Sequence, residues 1–329
     1  MQVVAIGGGT GLSALLRGLK PYLPGITRAA GSQAKISRLT AVVTVTDEGG
    51  SSGRLRRDFR ILPPGDIRNC MVALAEDEQL LTQLFNYRFS TGHGLRGHSF
   101  GNLFLVALTH LTRDFAKAVR VSGEVLAIRG EIFPSTLSDV RLKAEQMNGN
   151  IIYGESCITK TRLPIKRLHI VPSHCRPLQE TLTALQQANL ITVGPGSLYT
   201  SLIPNLLVHG IPEQIARSRA LKVYVCNLMT QPGESRGYSV ADHVRALHEH
   251  AGRKLFDVVI LNTRPVSPTL LKRYAADGAA PVANDLSEVR ALGVLPVLAD
   301  LLVEDRVARH DPDRLAKLLL KLVESRKST

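Results

Sequence analysis

Five stretches of this chain run from a short apolar segment directly into a small-residue polar loop. Val3 to Ile6 leads into Gly7-Gly8-Gly9-Thr10-Gly11, and Leu39 to Thr46 into Asp47-Glu48-Gly49-Gly50-Ser51-Ser52-Gly53. Leu190 to Val193 leads into Gly194-Pro195-Gly196-Ser197, and Val223 to Cys226 into the loop Asn227 to Glu234. Val258 to Leu261 leads into Asn262-Thr263-Arg264-Pro265. Apolar runs of this length followed by turn residues read as strands of an open α/β sheet. Ligands of such sheets sit in the crevice outside the carboxyl ends of the strands. Glycine lets the backbone come close to a phosphate, and the N–H groups of the following helix start favour an anion. The pattern predicts a site for a phosphorylated small molecule.

Helical patterns fill the intervals: Leu12 to Lys20, closed by Pro21; Ile67 to Ala75, with Asp66 as its N-cap; and one long pattern from Asn102 to Val121. From about residue 123 to 171 the texture changes. Glu124 to Ile132, Asn150 to Tyr153 and Ile165 to Val171 read as strands, with Asn148-Gly149-Asn150 as a turn. Helix and strand alternate again after Arg176, and Pro312 to Ser325 is an amphipathic helix with Asp311 as its cap. No internal repeat or linker interrupts the 329 residues. They read as a single Rossmann-like, doubly wound α/β domain with a mainly parallel sheet and a small β-rich excursion.

Composition narrows the function. Apolar residues make up 44% and charged residues 21%, the balance of a soluble globular protein. No apolar run approaches the roughly 18 residues of a membrane span, and the start does not read as a signal peptide. Cys70, Cys157, Cys175 and Cys226 are far apart, without metal spacing, and read as reduced thiols of a cytoplasmic protein. The net charge of +13 allows anionic partners, but aromatics are only 5% with no Trp, which disfavours a base-stacking nucleic-acid surface.

The loops do not match the common nucleotide motifs. Leu12 stands where G-x-G-x-x-G needs its third glycine, and no P-loop occurs. Asp47 and Glu48 form a carboxylate pair suited to Mg²⁺ or to base catalysis, while Ser51, Ser52 and Arg54 suit phosphate oxygens. Asp66, Arg68 and Asn69 add a carboxylate, a guanidinium and an amide at a helix start. His93 to Ser99 reads as a mobile polar loop able to close over a ligand; His93 and His98 alone make a weak metal signal. His248 and His250 read as helix surface. Ser197, Tyr199, Ser201 and Asn205 lack a G-x-S-x-G elbow and read as binders rather than a hydrolase nucleophile.

Six blocks then carry a resemblance. Gly7 to Ser13, Thr46 to Gly53, Pro64 to Asn69, Gly97 to Asn102, Gly194 to Ser201 and Asn227 to Glu234 look like the motifs of the YvcK-type gluconeogenesis factors. These belong with the 2-phospho-L-lactate transferases (CofD) in one superfamily. The resemblance implies a cytoplasmic, homo-oligomeric protein that binds UDP-sugars, notably UDP-N-acetylglucosamine, and links carbon metabolism to cell shape and peptidoglycan synthesis through cell-wall synthesis proteins. It places the diphosphate on Gly8, Gly9, Thr10, Gly11, Gly50, Ser51, Ser52 and Gly53, helped by Arg54 and Arg68. Asn69, His98, Asn102, Gly196, Ser197, Asn205 and Asn227 complete the ligand set. Lys272-Arg273-Tyr274-Ala275 and Arg309-His310-Asp311 resemble the segments whose Tyr and Arg contact the UDP-sugar. In the transferase branch it implies transfer of a phospholactyl group to a deazaflavin alcohol with a divalent metal, for which Asp47 and Asp66 are the catalytic candidates and Asp47 the metal candidate. Glu48 replaces the family's usual second Asp, which bears on any metal there. Pro312 stands where some relatives carry a phosphorylatable Thr, so phosphorylation at that position is excluded.

Overall fold

A computed structural model describes residues 1–25, 35–76 and 79–327. In chain order the strands are β1 (Gln2–Gly7), β2 (Arg38–Val43), β3 (Glu131–Pro134), β4 (Arg141–Gln146), β5 (Ile151–Tyr153), β6 (Ile165–Val171), β7 (Leu190–Val193), β8 (Leu221–Val225), β9 (Val258–Asn262), β10 (Leu295–Ala299), β11 (Leu302–Glu304) and β12 (Ala308–His310). Among the described residues, seven of them form one sheet in the order β10-β9-β8-β7-β1-β2-β3. Every neighbouring pair in it is parallel, so all seven carboxyl ends lie along one edge. The central strands carry almost unbroken Val, Ile, Leu and Ala because helices cover both faces. This is the Rossmann-like α/β architecture.

The order reverses at β1. Chain growth runs outward through β2 and β3 on one side and returns to β7 on the other, with Val3 opposite both Leu39 and Leu190. The crevice between the loops after β1 and β7 is therefore the topological switch point, the default ligand position in such sheets. One continuous hydrophobic cluster runs from Val3 to Val323 and takes in Leu142, Ala144, Leu168 and Ile170 of the antiparallel three-stranded sheet β5-β4-β6. The C-terminal helix Pro312–Lys327 buries Leu315, Leu319 and Val323 and lies against the helix Gly9–Leu19, where Gly18 meets the Pro312 carbonyl.

Several sequence expectations are corrected. Asn102 to Val121 is two helices, Phe100–Thr112 and Phe115–Val125. Arg113 adopts a left-handed φ of 54°, and the Asp114 side chain accepts the Lys117 N–H at 3.0 Å to start the second helix. A local cap thus overrides a continuous apolar period. Glu124 to Ile132 is no strand: the helix persists to Val125, and Glu131–Pro134 joins the main sheet beside β2. The β-rich excursion proper is Arg141 to Val171. Asp66 does not cap its helix, which starts at Gly65 after Pro64; its carboxylate turns to Gly9 instead. His250 is buried rather than on the surface: its Nε2 accepts the Leu168 N–H at 2.9 Å and pins β6 to the helix Val240–Ala251. His248 stacks on Phe256 at 5.5 Å. The strand β10 and the hairpin β11–β12 were not anticipated.

Candidate functional site

At the switch point lies a cavity of about 270 Å³. Gly8, Gly9, Thr10 and Gly11 form one wall, Pro195, Gly196 and Ser197 the opposite one, and Asn227 to Gln231 the end. Gly9 has φ +63°, a conformation that glycine adopts without strain. At Gly11 a Cβ would collide with the Pro195 carbonyl, so the two glycine loops approach each other backbone to backbone. Asn227 Oδ1 accepts the Gly196 N–H at 3.4 Å, and Gln231 Nε2 donates to Ser197 Oγ at 2.8 Å, fixing the second loop from the third. Asn205 is fully buried behind the first loop. Its Nδ2 donates to the Gly7 and Ser201 carbonyls, so it positions the loop from beneath.

Tyr274 closes one side of the cavity from the helix Pro268–Ala276. Its hydroxyl accepts the Ala308 N–H at 3.0 Å and ties that helix to β12. Ala308 and His310 face the cavity, whereas Arg309, one residue out of phase on the same strand, is exposed opposite Val303. The Arg309 guanidinium is therefore outside the cavity wall, and the buried His310 occupies that wall. Burial pushes the His310 imidazole down to about 4, which keeps it neutral.

A polar cradle adjoins the cavity at the start of the helix Gly50–Phe59. Ser51 Oγ lies 3.0 Å from His98 Nδ1, and Asn102 Nδ2 donates to Ser51 Oγ at 3.2 Å and Ser52 Oγ at 3.3 Å. The Asp47 carboxylate accepts the Gly49 N–H at 2.8 Å and abuts Gly65 together with the Ser52 hydroxyl. Gly53 packs its Cα on the Glu48 carbonyl. Asp66 accepts the Gly9 N–H and lies against Gly8, so it stands on the boundary between cradle and cavity. The loop His93 to Ser99, expected to be mobile from its glycines, lies against this helix. Arg54 donates to the Arg96 carbonyl at 2.6 Å, and Phe89 and Gly97 pair by backbone at 2.8 Å. Arg68 is buried beneath it, bonded to Asn69 Oδ1 at 2.5 Å and Phe85 O at 3.4 Å, and burial lowers the basicity of its guanidinium.

Two carboxylates that sequence reasoning missed complete the arrangement. Glu155 follows β5 in the excursion and accepts the Glu48 N–H at 3.1 Å. Glu234, 5% exposed, accepts the Tyr199 N–H at 2.7 Å and the Thr200 N–H at 3.2 Å, stitching the loops after β7 and β8 together. Burial, reinforced by Asp47, pushes Asp66 up to about 7, and burial pushes Glu155 to about 7 as well. Glu234 is also raised by burial. No local pattern marks Glu155, whose partner is more than a hundred positions away; Glu234 closes the quoted Asn227 to Glu234 block and was legible only as part of it. Asp47 and Asp66 are the carboxylates here that could hold Mg²⁺, which takes one or two such ligands beside substrate phosphates. Among the described residues, no three His, Cys, Asp or Glu side chains converge on a point where they could hold a metal by themselves.

A family model, 2-phospho-L-lactate transferase CofD, matches residues 3–302. The chain belongs to the CofD family. Within it, the chain groups with the gluconeogenesis factors. It is 52% identical over 323 residues to a putative gluconeogenesis factor of Nostoc sp., covering 97% of this chain and 68% of that one. It is 44% identical over 325 residues to the gluconeogenesis factor of Bacillus subtilis, covering 98% of each. The crystal structure of a UPF0052 family protein of Bacillus halodurans superposes with a TM-score of 0.90 at 45% identity, covering 97% of this chain and 98% of that one. Among the described residues of this CofD-family chain, no helix is long and apolar enough to cross a membrane.

Proposed function

We propose that this CofD-family chain is a cytoplasmic regulatory protein whose ligand is a UDP-sugar, UDP-N-acetylglucosamine, through which carbon supply governs cell shape and peptidoglycan synthesis. The observation that carries the reading is the cavity at the switch point, where two glycine loops present backbone to a common space and Tyr274 closes the side. A diphosphate at the start of the helix Gly9–Leu19 meets the N–H groups of Thr10 and Gly11 in its open first turn, while the Gly9 N–H goes to Asp66 and the Gly196 N–H to Asn227. The Tyr274 ring then offers an apolar face to the uracil, and the neutral His310 and the Asn227 to Gln231 loop offer polar edges. Binding to this site is the signal; cell-wall synthesis proteins and a homo-oligomer are its readers. Calorimetric titration with UDP-N-acetylglucosamine, against UDP-glucose, GDP and NAD, tests it. Micromolar binding selective for UDP-sugars is expected, and absence of UDP-sugar binding overturns it.

The cradle favours a second reading, a transferase of the phospholactyl type. Asp66 and Glu155, both raised to about 7, are poised to exchange a proton near neutrality. In this reading Asp47 would hold Mg²⁺, which would supply charge neutralisation for a transferring phosphate. Asp66, next to Gly8 and Gly9, takes the proton of an acceptor hydroxyl, and Ser51 and Ser52 orient the phosphate oxygens. Turnover of a deazaflavin alcohol by the purified protein with Mg²⁺ and a phospholactate donor activated as a nucleotide anhydride, with release of the nucleotide monophosphate as leaving group, would establish it.

A further inference from the structure

A second chamber, of about 280 Å³, opens at the carboxyl ends of β8 and β9 and shares Asn227 and Leu228 with the switch-point cavity. Leu261, Val266 and Leu271 stand on its walls, and its polar side chains are Asn227, Asn262, Thr263, Arg264 and Asn284, of which Asn227 and Asn262 are already bonded to backbone. An apolar concavity with a small number of convergent polar groups is the common form of a small-molecule site.

The charge pattern says what such a molecule carries. The helix Val240–Ala251 points its N-terminus at the chamber, yet its first donors are already used. Val240 N–H goes to the Ala283 carbonyl at 3.0 Å, Ala241 N–H to Asp285 Oδ1 at 3.0 Å, and Asp242 N–H to Ser239 Oγ at 3.2 Å. That leaves Arg264 as the cationic group of the lining. Arg264 donates to the Leu302 carbonyl at 3.4 Å, a contact that occupies one nitrogen of a guanidinium with five N–H donors. Glu304 acts on it at longer range, with one carboxylate oxygen already accepting the Ser267 N–H at 2.7 Å.

We propose that this chamber is a second ligand site, separate from the switch-point cavity, for a compact organic anion whose apolar body packs on Leu261, Val266 and Leu271 and whose anionic head is held by Arg264. The chamber is no smaller than the switch-point cavity, so chemistry rather than volume selects its ligand: no glycine loop lines it to cradle a diphosphate, and a substituted benzene ring matches its apolar walls. Asn284 and Thr263 at the mouth orient a further oxygen. The shared Asn227-Leu228 wall lets both sites fill at once, because Asn227 keeps its bond to Gly196 on the cavity side. The assignment stands whether or not the first cavity takes a UDP-sugar.

The test uses three probes of one shape on the full chain: benzoate, phenyl phosphate and the neutral benzamide, followed by ligand-observed NMR and calorimetry. One or both anions should bind at least tenfold more tightly than benzamide, and which of them does so tells a carboxylate head from a phosphate ester. Arg264→Gln should remove that preference without changing the melting temperature, since the side chain lies at the exposed mouth. Binding should persist with UDP-N-acetylglucosamine present in excess. No binding of either anion, a preference unchanged in Arg264→Gln, or displacement by the UDP-sugar would each overturn the proposal. Failure of the UDP-sugar to bind in the same experiment would count against the nucleotide reading alone.

Discussion

The Tyr274 hydroxyl accepts the backbone N–H of Ala308 at 3.0 Å, and this bond joins two segments that sequence separates by 34 positions. It makes Tyr274 both a wall of the cavity and a fastener for β12. The two roles separate by substitution. Tyr274→Phe keeps the ring and removes the acceptor, which costs about 1 kcal/mol of stability and leaves UDP-sugar affinity within a few-fold. Tyr274→Ala removes the ring as well, and the loss should exceed tenfold, about 1.4 kcal/mol. Calorimetry with thermal unfolding of both variants checks it; equal affinity in the two would show that the ring makes no contact.

Asp66 and Glu155 make stability depend on pH in a direction opposite to most carboxylates. Folding raises their pKa from 3.8 and 4.5 to about 7, so the protonated form favours the folded state. That contribution is complete below about pH 4 and is lost as pH climbs through about 7. Replacing Asp66 by Asn removes the ionised form and keeps an acceptor for Gly9. At about pH 8 the variant should be more stable than the parent by about 2–4 kcal/mol, at about 1.4 kcal/mol per pKa unit. At about pH 4 the difference should vanish. Melting curves across this range decide it.

Glu234 holds two backbone N–H groups and the Thr200 hydroxyl, the last at 2.7 Å, from a fully enclosed position. Glu234→Ala leaves those donors buried and unpaired, and a loss of about 3 kcal/mol is expected. Glu234→Gln preserves one acceptor and should recover part of it. Urea denaturation of the pair measures the difference; a harmless Ala variant would mean that water replaces the carboxylate.

Gly11 sits where any side chain would strike the Pro195 carbonyl. Gly11→Ala forces the two glycine loops apart, and a cost of about 1–3 kcal/mol is expected from overpacking. Nucleotide binding should fall with it, because the loops' spacing is the cavity's width. Gly50 has open space around its Cα, so Gly50→Asn, which tolerates its φ of +43°, should leave stability nearly unchanged.

Asp311 caps the C-terminal helix by accepting the N–H groups of Asp313 and Arg314, both at 3.0 Å. Asp311→Ala should destabilise the chain by about 1 kcal/mol. The effect should be the same with and without UDP-sugar, which separates it from the neighbouring His310.

What the sequence determined by itself is the set of elements whose causes are local. Leu190 to Val193 and Ile165 to Val171 are strands to the residue, because a short apolar or alternating run bounded by turn residues has few other fates. The glycine-loop positions were legible for the same reason: backbone approach needs glycine wherever it occurs. Asp311 was legible as a cap because its partners lie two and three residues on. What only the tertiary structure decided are relations between distant segments. The switch point at β1 depends on which strand returns beside it, and side-chain pattern does not encode strand order. Asp66 looked like a cap and instead serves Gly9, since a carboxylate in a helix's first turn can satisfy its own helix or a neighbouring loop, and packing chooses. Glu155 reaches the site from a segment with no motif of its own, and Glu234 and His310 lie within quoted segments whose pattern does not say which side chain turns inward. Arg309 was read from its neighbours in sequence; strand alternation, set by the pairing of β11 with β12, turned it outward and His310 in. Local chemistry specifies which groups are available, and long-range burial specifies which of them meet.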